Sequence, residues 1–329
     1  LPPALSALMS EGRYLPIYRQ SLGPSADPLP LPKEQIAALI GAEASALRMA
    51  ASVQGAVPDL RAAKAHDAIS TIRKAAKGRR LVILNEAHTA SRHRSFLADI
   101  VSALGEDGFT HLAAETFSNG TTASAERVER LSAQDQVDFR HGTYLWDPVL
   151  AEAVRSALRL GMRLIPYEQR NDQRTSATGR QRMEAREVAQ AENLAKVLSK
   201  LPEARVIVYV GYSHIRETPD SHGMLWLSRR LHTLSGIDPL TIAQASTGSF
   251  GPHAADSLLT QTVLAKFPRR GSIVVRSDAT VVGAAVEGAD LAVFHPNLKD
   301  VATRPGWLAA SSKRKRVEVR LETAVKDRL

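Results

Sequence analysis

The sequence of 329 residues contains no cysteine, and this absence removes several kinds of site at once. Disulfide frameworks, thiolate metal sites and cysteine nucleophiles are all excluded. His, Asp, Glu, Ser and Tyr are left to carry any chemistry. An exported protein that does without thiols and a cytosolic protein are both compatible with this composition.

Aromatic residues and long apolar runs are also scarce. Aromatics make up only 5% of the chain, and no apolar run approaches the roughly 20 residues of a membrane span. The net charge of +9 favours anionic substrates, membrane surfaces or nucleic acid. Because no stacking or helix-turn-helix motif accompanies this charge, we expect no nucleic-acid partner. We expect a small-molecule ligand, with an anionic one favoured; membrane-surface association stays open, and the oligomeric state is not predicted.

Two common enzyme motifs are missing as well. The sequence has neither a Gly-rich phosphate-binding loop nor a Gly-x-Ser-x-Gly elbow, which disfavours the usual nucleotide-binding and serine hydrolase classes. What is present is a regular alternation of strand-like and helix-like segments. This order predicts an α/β fold with three layers, in which helices flank a mostly parallel central sheet.

The predicted organisation is an extended arm over residues 1–31 followed by a single domain over 32–329, with its core at 78–246. The predicted core strands are 80–85, 111–115, 163–168, 205–211 and 240–246, and the predicted helices are 33–53, 67–76, 91–104, 123–131, 148–160, 179–201 and 224–234. Three further strand patterns follow in the C-terminal region 270–322, at 272–277, 289–295 and 317–322. We expect them to extend the sheet at one edge, and the KRKR run at 313–316 to be a solvated segment that protects that edge.

The segment RLVILNEAH, residues 80–88, is a buried strand pattern that stops abruptly at polar residues. In an open α/β sheet, ligands bind beyond the carboxyl ends of the strands. Glu86 and His88 lie at the end of the first core strand, Glu115 ends the second, and His214 follows the fourth. His111, by contrast, begins its strand at the opposite edge and is interpreted as structural.

Each of these residues taken alone also has a structural interpretation, such as a helix cap or a satisfied histidine. Glu168 ends the third strand, and Arg170 and Arg174 lie close enough in sequence to pair with it. Burying several ionisable groups together is costly unless they form a bonded set or bind a cation. The combination Glu86, His88, Glu115 and His214 therefore predicts a functional site.

Other side chains are candidates to line the same edge. An Arg-rich connection leads into the helix 179–201. The guanidinium groups of this connection and of the helix start either face an anionic ligand or belong to a solvated basic loop. Loop and helix-start residues over this edge are further candidates. The candidate ligand-binding residues are His93, His141, Trp146, Tyr167, Glu168, Arg170, Arg174 and Arg186, with Arg180 and Arg182 in the same connection.

The segments LVILNEAHTASRHRSFLADIV, AAETF and VIVYVGYSHI resemble the superfamily of the haem-binding uptake protein ChaN, the erythromycin esterases and the Tiki/TraB proteins, with the ChaN-like branch most similar. The typical Gly-Glu-x-His motif corresponds to residues 85–88, with Asn85 in place of Gly, and the later Gly-x-x-His to Gly211 and His214. The resemblance also implies that Arg186, Glu187 and Asn193 lie near the site.

This resemblance implies two kinds of function. The first is an ester or amide hydrolase, in which His88 activates water or in which Glu86, His88, Glu115 and His214 hold a divalent metal such as Zn or Mn. The second is a haem- or iron-binding protein without catalysis, with Tyr167, Tyr212, His93 and His141 as candidate iron ligands. A third possibility is an inactive pocket in a basic interaction module.

The compartment is predicted from three features together. The chain begins LPPALSAL without an initiator methionine, which suggests a removed signal or lipoprotein leader. The lack of cysteine and the likeness to ChaN point in the same direction. We therefore expect a bacterial periplasmic or envelope protein, with the cytoplasm as the alternative.

Overall fold

A computed structural model describes residues 7–8, 14–22, 32–39, 58–244, 258–268 and 271–296. The strands along the chain are β1 (Lys64–Asp67), β2 (Leu81–Glu86), β3 (His111–Ala114), β4 (Arg163–Ile165), β5 (Val206–Gly211), β6 (Leu240–Ala243), β7 (Ile273–Ser277), β8 (Thr280–Val281) and β9 (Leu291–Ala292). The helices are α1 (Tyr14–Leu22), α2 (Lys33–Leu39), α3 (Ala68–Ala75), α4 (Ser91–Glu106), α5 (Thr122–Glu129), α6 (Pro148–Arg159), α7 (Gly179–Lys200), α8 (Leu227–Ser235), α9 (Leu258–Lys266) and α10 (Ala284–Glu287).

Six strands form one parallel sheet in the order β4-β3-β5-β2-β6-β9, so β2 and β5 lie at its centre. The chain moves outward from β2 through β3 to β4 and then returns to place β5 beside β2. In the β2–β5 register, Glu86 lies opposite Gly211. The carboxyl ends of the two central strands therefore meet where the strand order reverses, which is where such sheets bind ligands.

Helices cover both faces of this sheet, which confirms the predicted three-layer α/β fold. Alternate residues of β2 point to opposite faces, because strand side chains alternate. Val82 and Leu84 pack with α4 and α6 on one face. Leu81 and Ile83 pack with α7 and α8 on the other. Every residue of β2 and β5 is buried.

The C-terminal strands differ in part from the sequence prediction. β9 extends the central sheet as an edge strand parallel to β6, as expected for 289–295. The strand at 272–277, however, does not join that sheet, since β7 pairs antiparallel with β1 and β8 in a separate small sheet. The reason is the partner β1, a short and largely exposed strand, KAHD, with no apolar pattern to predict it. Residues 313–322 lie outside the described part of the chain.

The N-terminal region also differs from the extended arm that its prolines predicted, because Tyr14–Leu22 is a helix. Pro16 is tolerated there since the first-turn N–H groups of a helix have no internal partner. Ile17 of α1 packs against Ile36 of α2 and against Trp146. The predicted helix 33–53 is described only over Lys33–Leu39, and its remainder lies outside the described residues. Within the described ranges, no helix is both long and apolar enough to span a membrane.

Candidate active site

The end of β2 is built around a buried ionic group that we call the Glu86 cluster, consisting of Glu86, His88, Arg94, Asp147 and Tyr209. Arg94 donates from Nε to Oε2 of Glu86 at 2.8 Å and from Nη2 to Oε1 at 2.8 Å. His88 Nδ1 lies 2.7 Å from Oε1, and the hydroxyl of Tyr209 donates to Oε2 at 2.7 Å. Both carboxylate oxygens are therefore fully engaged.

Three secondary-structure elements bring this cluster together. Arg94 lies in the first turn of α4, which begins at the carboxyl edge after β2. Its Nη1 donates to Oδ2 of Asp147 at 2.6 Å, and Asp147 caps α6 by accepting from the backbone of Val149. Tyr209 comes from the neighbouring strand β5. Asp147, the cap of α6, thus binds Nη1 of Arg94, the guanidinium nitrogen that does not bind Glu86.

The charges of this cluster determine its protonation state. Burial alone would raise the pKa of Glu86, but the charge and hydrogen bonds of Arg94, together with His88, lower this pKa to about 2. Burial works against the charged form of Arg94 too, yet the charges of Glu86 and Asp147 hold the pKa of its guanidinium well above the usual value. Glu86 is consequently a permanent carboxylate beside the His88 ring at neutral pH.

The imidazole of His88 is fixed on three sides. Glu86 holds its Nδ1, the ring of Tyr144 stacks on it with centroids 4.3 Å apart, and Tyr212 meets it edge-on at 4.7 Å. With a proton on Nδ1, the neutral ring keeps a lone pair on Nε2. No residue in the described ranges hydrogen-bonds this Nε2. The geometry leaves Nε2 as the reactive nitrogen.

A second group, the Glu115 cluster, occupies the ends of β3 and β5 and consists of Glu115, Glu168, Arg186, Glu187 and His214. Nη2 of Arg186 donates to Oε1 of Glu115 at 2.6 Å and to Oε2 of Glu168 at 2.5 Å. Nη1 of the same residue lies 3.3 Å from Nε2 of His214. Nδ1 of His214 lies 2.7 Å from Oε1 of the fully buried Glu187.

The pKa shifts in the Glu115 cluster follow from these contacts. Burial raises the pKa of Glu115, but the charges of His214 and Arg186 outweigh burial and lower that pKa to about 2. Burial disfavours the charged form of His214, whereas Glu187 and then Glu115 raise its pKa above the usual value. Burial disfavours the charged form of Arg186, but the charges and hydrogen bonds of Glu115 and Glu168 raise the pKa of its guanidinium. The cluster is a set of paired charges, most of them buried, in which Arg186 and Glu168 keep 28% and 23% of their side chains exposed.

The two clusters meet at Gly211. The backbone N–H of Gly211 donates to Oε2 of Glu115 at 2.6 Å. A Cβ placed on this residue would lie 2.7 Å from Nε2 of His88 and 3.0 Å from Oε2 of Glu115. Only glycine leaves room for both side chains. The next residue, Tyr212, has an unfavourable backbone φ of 39°, and Asn85 holds it by donating to its carbonyl at 2.9 Å.

The structure thus brings together the four residues that sequence predicted as catalytic, Glu86, His88, Glu115 and His214. Glu168 and Arg186 join them, and the arginine partner of Glu168 is Arg186, which corrects the pairing with Arg170 or Arg174 that sequence proximity suggested. Glu187 and Asn193 also lie where the resemblance implied. Asn193 donates to the backbone carbonyls of Tyr167 and Glu168.

Other predicted lining residues have different contacts. His93 Nδ1 accepts from the Ala87 backbone at 3.0 Å, and the hydroxyl of Tyr167 donates to the Tyr209 carbonyl, so both support the site from inside the protein. His141 lines a separate groove with α5, next to Asp138. Trp146 packs on the N-terminal helices. These four residues do not surround His88 because their side chains are directed into different parts of the core or surface.

The arginines of the connection after β4 and the start of α7 also differ in their contacts. Arg170 pairs with Asp172 at 3.1 Å, and Arg180 donates to the carbonyl of His222. Arg174, Arg182 and Arg186 line a groove of about 490 Å³. Of the five arginines that sequence offered to an anionic ligand, these three are in the groove, whereas Arg170 and Arg180 are not.

The residues do not fit a resident divalent metal. The two carboxylates offered to a metal, Glu86 and Glu115, are each engaged by an arginine. In the described part of the chain, no group of three or more His, Asp or Glu side chains is arranged to hold a metal ion. The haem ligands suggested by sequence do not converge either. His93 and Tyr167 are used by internal hydrogen bonds, His141 lies in a separate groove, and Tyr212 packs edge-on against His88.

Sequence analysis missed the partners that give the site its charge balance. Arg94 stands in the SRHR segment at a helix start, and Asp147 directly precedes Pro148, which is a typical helix-cap pattern. Tyr209 is a polar residue inside an otherwise apolar strand pattern. Each has a local signal, but nothing local indicates that Arg94 binds Glu86 or that Tyr209 reaches the same carboxylate.

Comparisons with known proteins give structural likeness only. No family model and no curated protein matches the sequence. Among solved structures, the type III effector HopBA1 is 17% identical with a TM-score of 0.44, over 69% of this chain and 93% of that chain. RRSP, a MARTX toxin effector domain from Vibrio vulnificus CMCP6, is 14% identical with a TM-score of 0.39, over 56% of this chain and 37% of that chain.

A third similar structure is the C-terminal region of Pasteurella multocida toxin, described as having a thiol-protease-like catalytic triad. It is 12% identical with a TM-score of 0.40, over 56% of this chain and 26% of that chain. This chain therefore spans well under half the length of the last two structures. All three TM-scores are low, and none of these likenesses assigns a function to this chain.

Proposed function

We propose that the protein is a hydrolase of ester or amide bonds in which His88 activates the attacking water. The observation that carries this proposal is the His88 ring, held at Nδ1 by the buried and ionised Glu86 at 2.7 Å, with Nε2 directed toward Gly211 and Glu115. A carboxylate on one ring nitrogen fixes the tautomer and stabilises the imidazolium that forms when the other nitrogen takes a proton.

The reaction follows from this arrangement in two steps. Nε2 of His88 takes a proton from water while the water oxygen attacks the carbonyl carbon of the substrate, which produces a tetrahedral intermediate. The C–O or C–N bond to the leaving group then breaks, and the His88 imidazolium returns the proton to the leaving oxygen or nitrogen. His88 is neutral again at the end, so the cycle needs no other reactant.

We assign stabilisation of the developing oxyanion to Arg186 and His214, the two basic side chains of the Glu115 cluster. Both contact Glu115, and the side chain of Arg186 is 28% exposed. Preorganised donors of this kind stabilise negative charge without reorganising during the reaction. No step is assigned to a metal, because Arg94 and Arg186 already neutralise the two carboxylates.

The same chemistry is what the resemblance to the erythromycin esterases implies. That family assignment and the predicted envelope location stay predictions. The proposal depends on the contacts of His88 and Glu86, which are independent of the resemblance.

The test is to compare His88→Gln with His111→Gln on a panel of p-nitrophenyl esters and p-nitroanilides. Glutamine at 88 retains a donor for Glu86, so the fold should persist, as checked by urea unfolding. We expect a loss of about 10²–10⁴ in kcat for His88→Gln. His111, at the opposite edge of the sheet, should be replaceable without loss. Full activity of His88→Gln would refute the proposal.

A further inference from the structure

A groove of about 490 Å³ opens beside the Glu115 cluster, between the connection after β4 and the beginning of α7. Its lining residues are Glu168, Gln169, Arg174, Thr175, Gly179, Arg182, Met183 and Arg186. This volume falls within the range of small-ligand pockets, about 300–1,000 Å³.

The groove has an excess of positive charge. Three of its lining residues are arginines and one is a carboxylate, Glu168. That carboxylate is already engaged by Arg186 and by Nε2 of Gln190 at 2.9 Å. Arg174 and Arg182 are exposed and have no carboxylate partner among the described residues. Two guanidinium groups are thus available to an incoming anion.

Arg186 connects this groove to the proposed active site. Its side chain forms part of the groove wall, and its Nη2 donates to Glu115, which in turn accepts from the Gly211 backbone beside His88. A ligand seated in this groove therefore lies against Arg186, the residue that links the groove wall to Glu115. Guanidinium groups bind planar oxyanions through paired hydrogen bonds.

We infer that this groove binds a carboxylate or phosphate group of the substrate, so that the substrates of the enzyme are anionic esters or amides. The inference rests on the proposed function for the reaction, while the binding of the anion does not depend on turnover. The two can consequently be tested separately.

The binding test uses the full chain labelled with ¹⁵N, titrated with sodium phosphate and, separately, with sodium acetate at constant ionic strength. In the wild type we expect saturable shifts of arginine Nε–H signals as the anion is added. In the Arg174→Gln/Arg182→Gln variant these shifts should be lost, or should saturate with an apparent Kd at least about tenfold weaker. The anion that binds more tightly identifies the group. Arg229→Gln is the control, since Arg229 is an exposed helix residue outside the groove lining and removes the same kind of charge.

The kinetic test compares mono-p-nitrophenyl succinate with p-nitrophenyl acetate, an anionic and a neutral ester. The double variant should lower the ratio of their kcat/KM values about tenfold, mainly through KM for the anionic ester. Arg229→Gln should leave the ratio as in the wild type.

The outcomes separate the two proposals. Anion binding that depends on Arg174 and Arg182 without turnover of any ester supports the groove and counts against the hydrolase. Turnover that depends on His88, with anion binding and the ester ratio unaffected by the double variant, overturns the groove. Shifts that are equal in the double variant and in Arg229→Gln likewise overturn it.

Discussion

The two edges of the central sheet carry the same kind of ion pair in opposite surroundings. At the carboxyl edge, the side chains of Arg94, Glu86 and Asp147 are only 1–3% exposed. At the amino edge, Arg73 makes a similar two-bonded pair with Asp107, with side chains 40% and 30% exposed. The bonds are alike in length, but water reaches only the second pair.

This difference decides what each pair contributes. An exposed pair gains little because water already solvates both partners. A buried set loses that solvation, so it is stable only while every member is present, and apolar residues of similar volume often stabilise a fold as well or better. The amino-edge pair is consistent with a surface contact. The carboxyl-edge cluster instead holds His88 in a defined tautomer, which an apolar core would not do.

Removing one member of the buried cluster should strongly destabilise the fold. Arg94→Met leaves Glu86 and Asp147 buried without their cation, and we expect the free energy of unfolding to fall by about 3–5 kcal/mol. Urea unfolding measures this change. The matched Arg73→Met variant should leave the unfolding midpoint nearly unchanged. Equal losses of unfolding free energy in the two variants would show that the buried and the exposed ion pairs contribute equally to stability.

Lowering the pH should remove the stabilisation that the two clusters give at the carboxyl edge of the sheet. The folded pKa of Glu86 and of Glu115 is about 2, against 4.5 for an unperturbed glutamate. Since the folded values are lowered, the stabilisation is complete above pH 4.5 and is lost as the pH falls toward 2. Each carboxylate should contribute about 1 kcal/mol per pH unit in this window. Urea unfolding at a series of pH values shows it, and a flat profile from pH 4.5 to 2.5 would contradict the ionised clusters.

The junction between the clusters should tolerate no added methyl group. In Gly211→Ala the new Cβ would lie 2.6 Å from Cε1 of His88, whose ring Glu86 and Tyr144 hold in place. We expect a loss of about 1–3 kcal/mol in the free energy of unfolding, together with a reduced kcat. Gly271→Ala is the matched control, because no atom lies within 4 Å of the added Cβ and the backbone φ lies outside the left-handed region; it should leave stability and kcat nearly unchanged. Equal kcat values for Gly211→Ala and the wild type would show that His88 can move.

A third buried polar set at the carboxyl edge should respond to acid at a higher pH than the two carboxylate clusters. His295 lies between Gln244 and Ser272, with ring nitrogens 3.0 and 2.8 Å from their oxygens, and burial followed by the charge of Arg92 lowers its pKa to about 3. Because this folded pKa is below the usual 6.5, stability should fall as the pH drops from 6.5 to 4.5, by about 1 kcal/mol per unit.

The carboxylates with a pKa of about 2 are ionised throughout that pH window, and His214, with its raised pKa, changes stability only as the pH rises above 6.5. Burial, followed by the charge of Arg163, also lowers the pKa of His111, so this residue adds to the slope. His295→Gln should therefore reduce the slope between pH 6.5 and 4.5. The exposed His66→Gln variant should keep the wild-type slope. The same slope in both variants would show that the loss of stability between pH 6.5 and 4.5 does not come from His295.

Much of the fold was predictable because its signals are local. The apolar run of β2, the periodic helices and the Gly at the end of β5 each reflect conformation and burial of nearby residues. β1 was not predictable, since its polar KAHD sequence becomes a strand only by pairing with β7, more than 200 residues later. The N-terminal prolines likewise indicated extended chain, whereas burial of Ile17 against Ile36 stabilises a helix.

By itself the sequence determined that Glu86, His88, Glu115 and His214 share one edge, because parallel strands all end on the same side of a sheet. Only the tertiary structure decided which partners these residues contact there. Arg94 and Arg186 reach the carboxylates from helices, and Tyr209 reaches Glu86 from the adjacent strand, across 123 positions of sequence. Strand order and helix packing, which no local pattern encodes, place the four candidate metal ligands in two clusters of paired charges, each with one histidine.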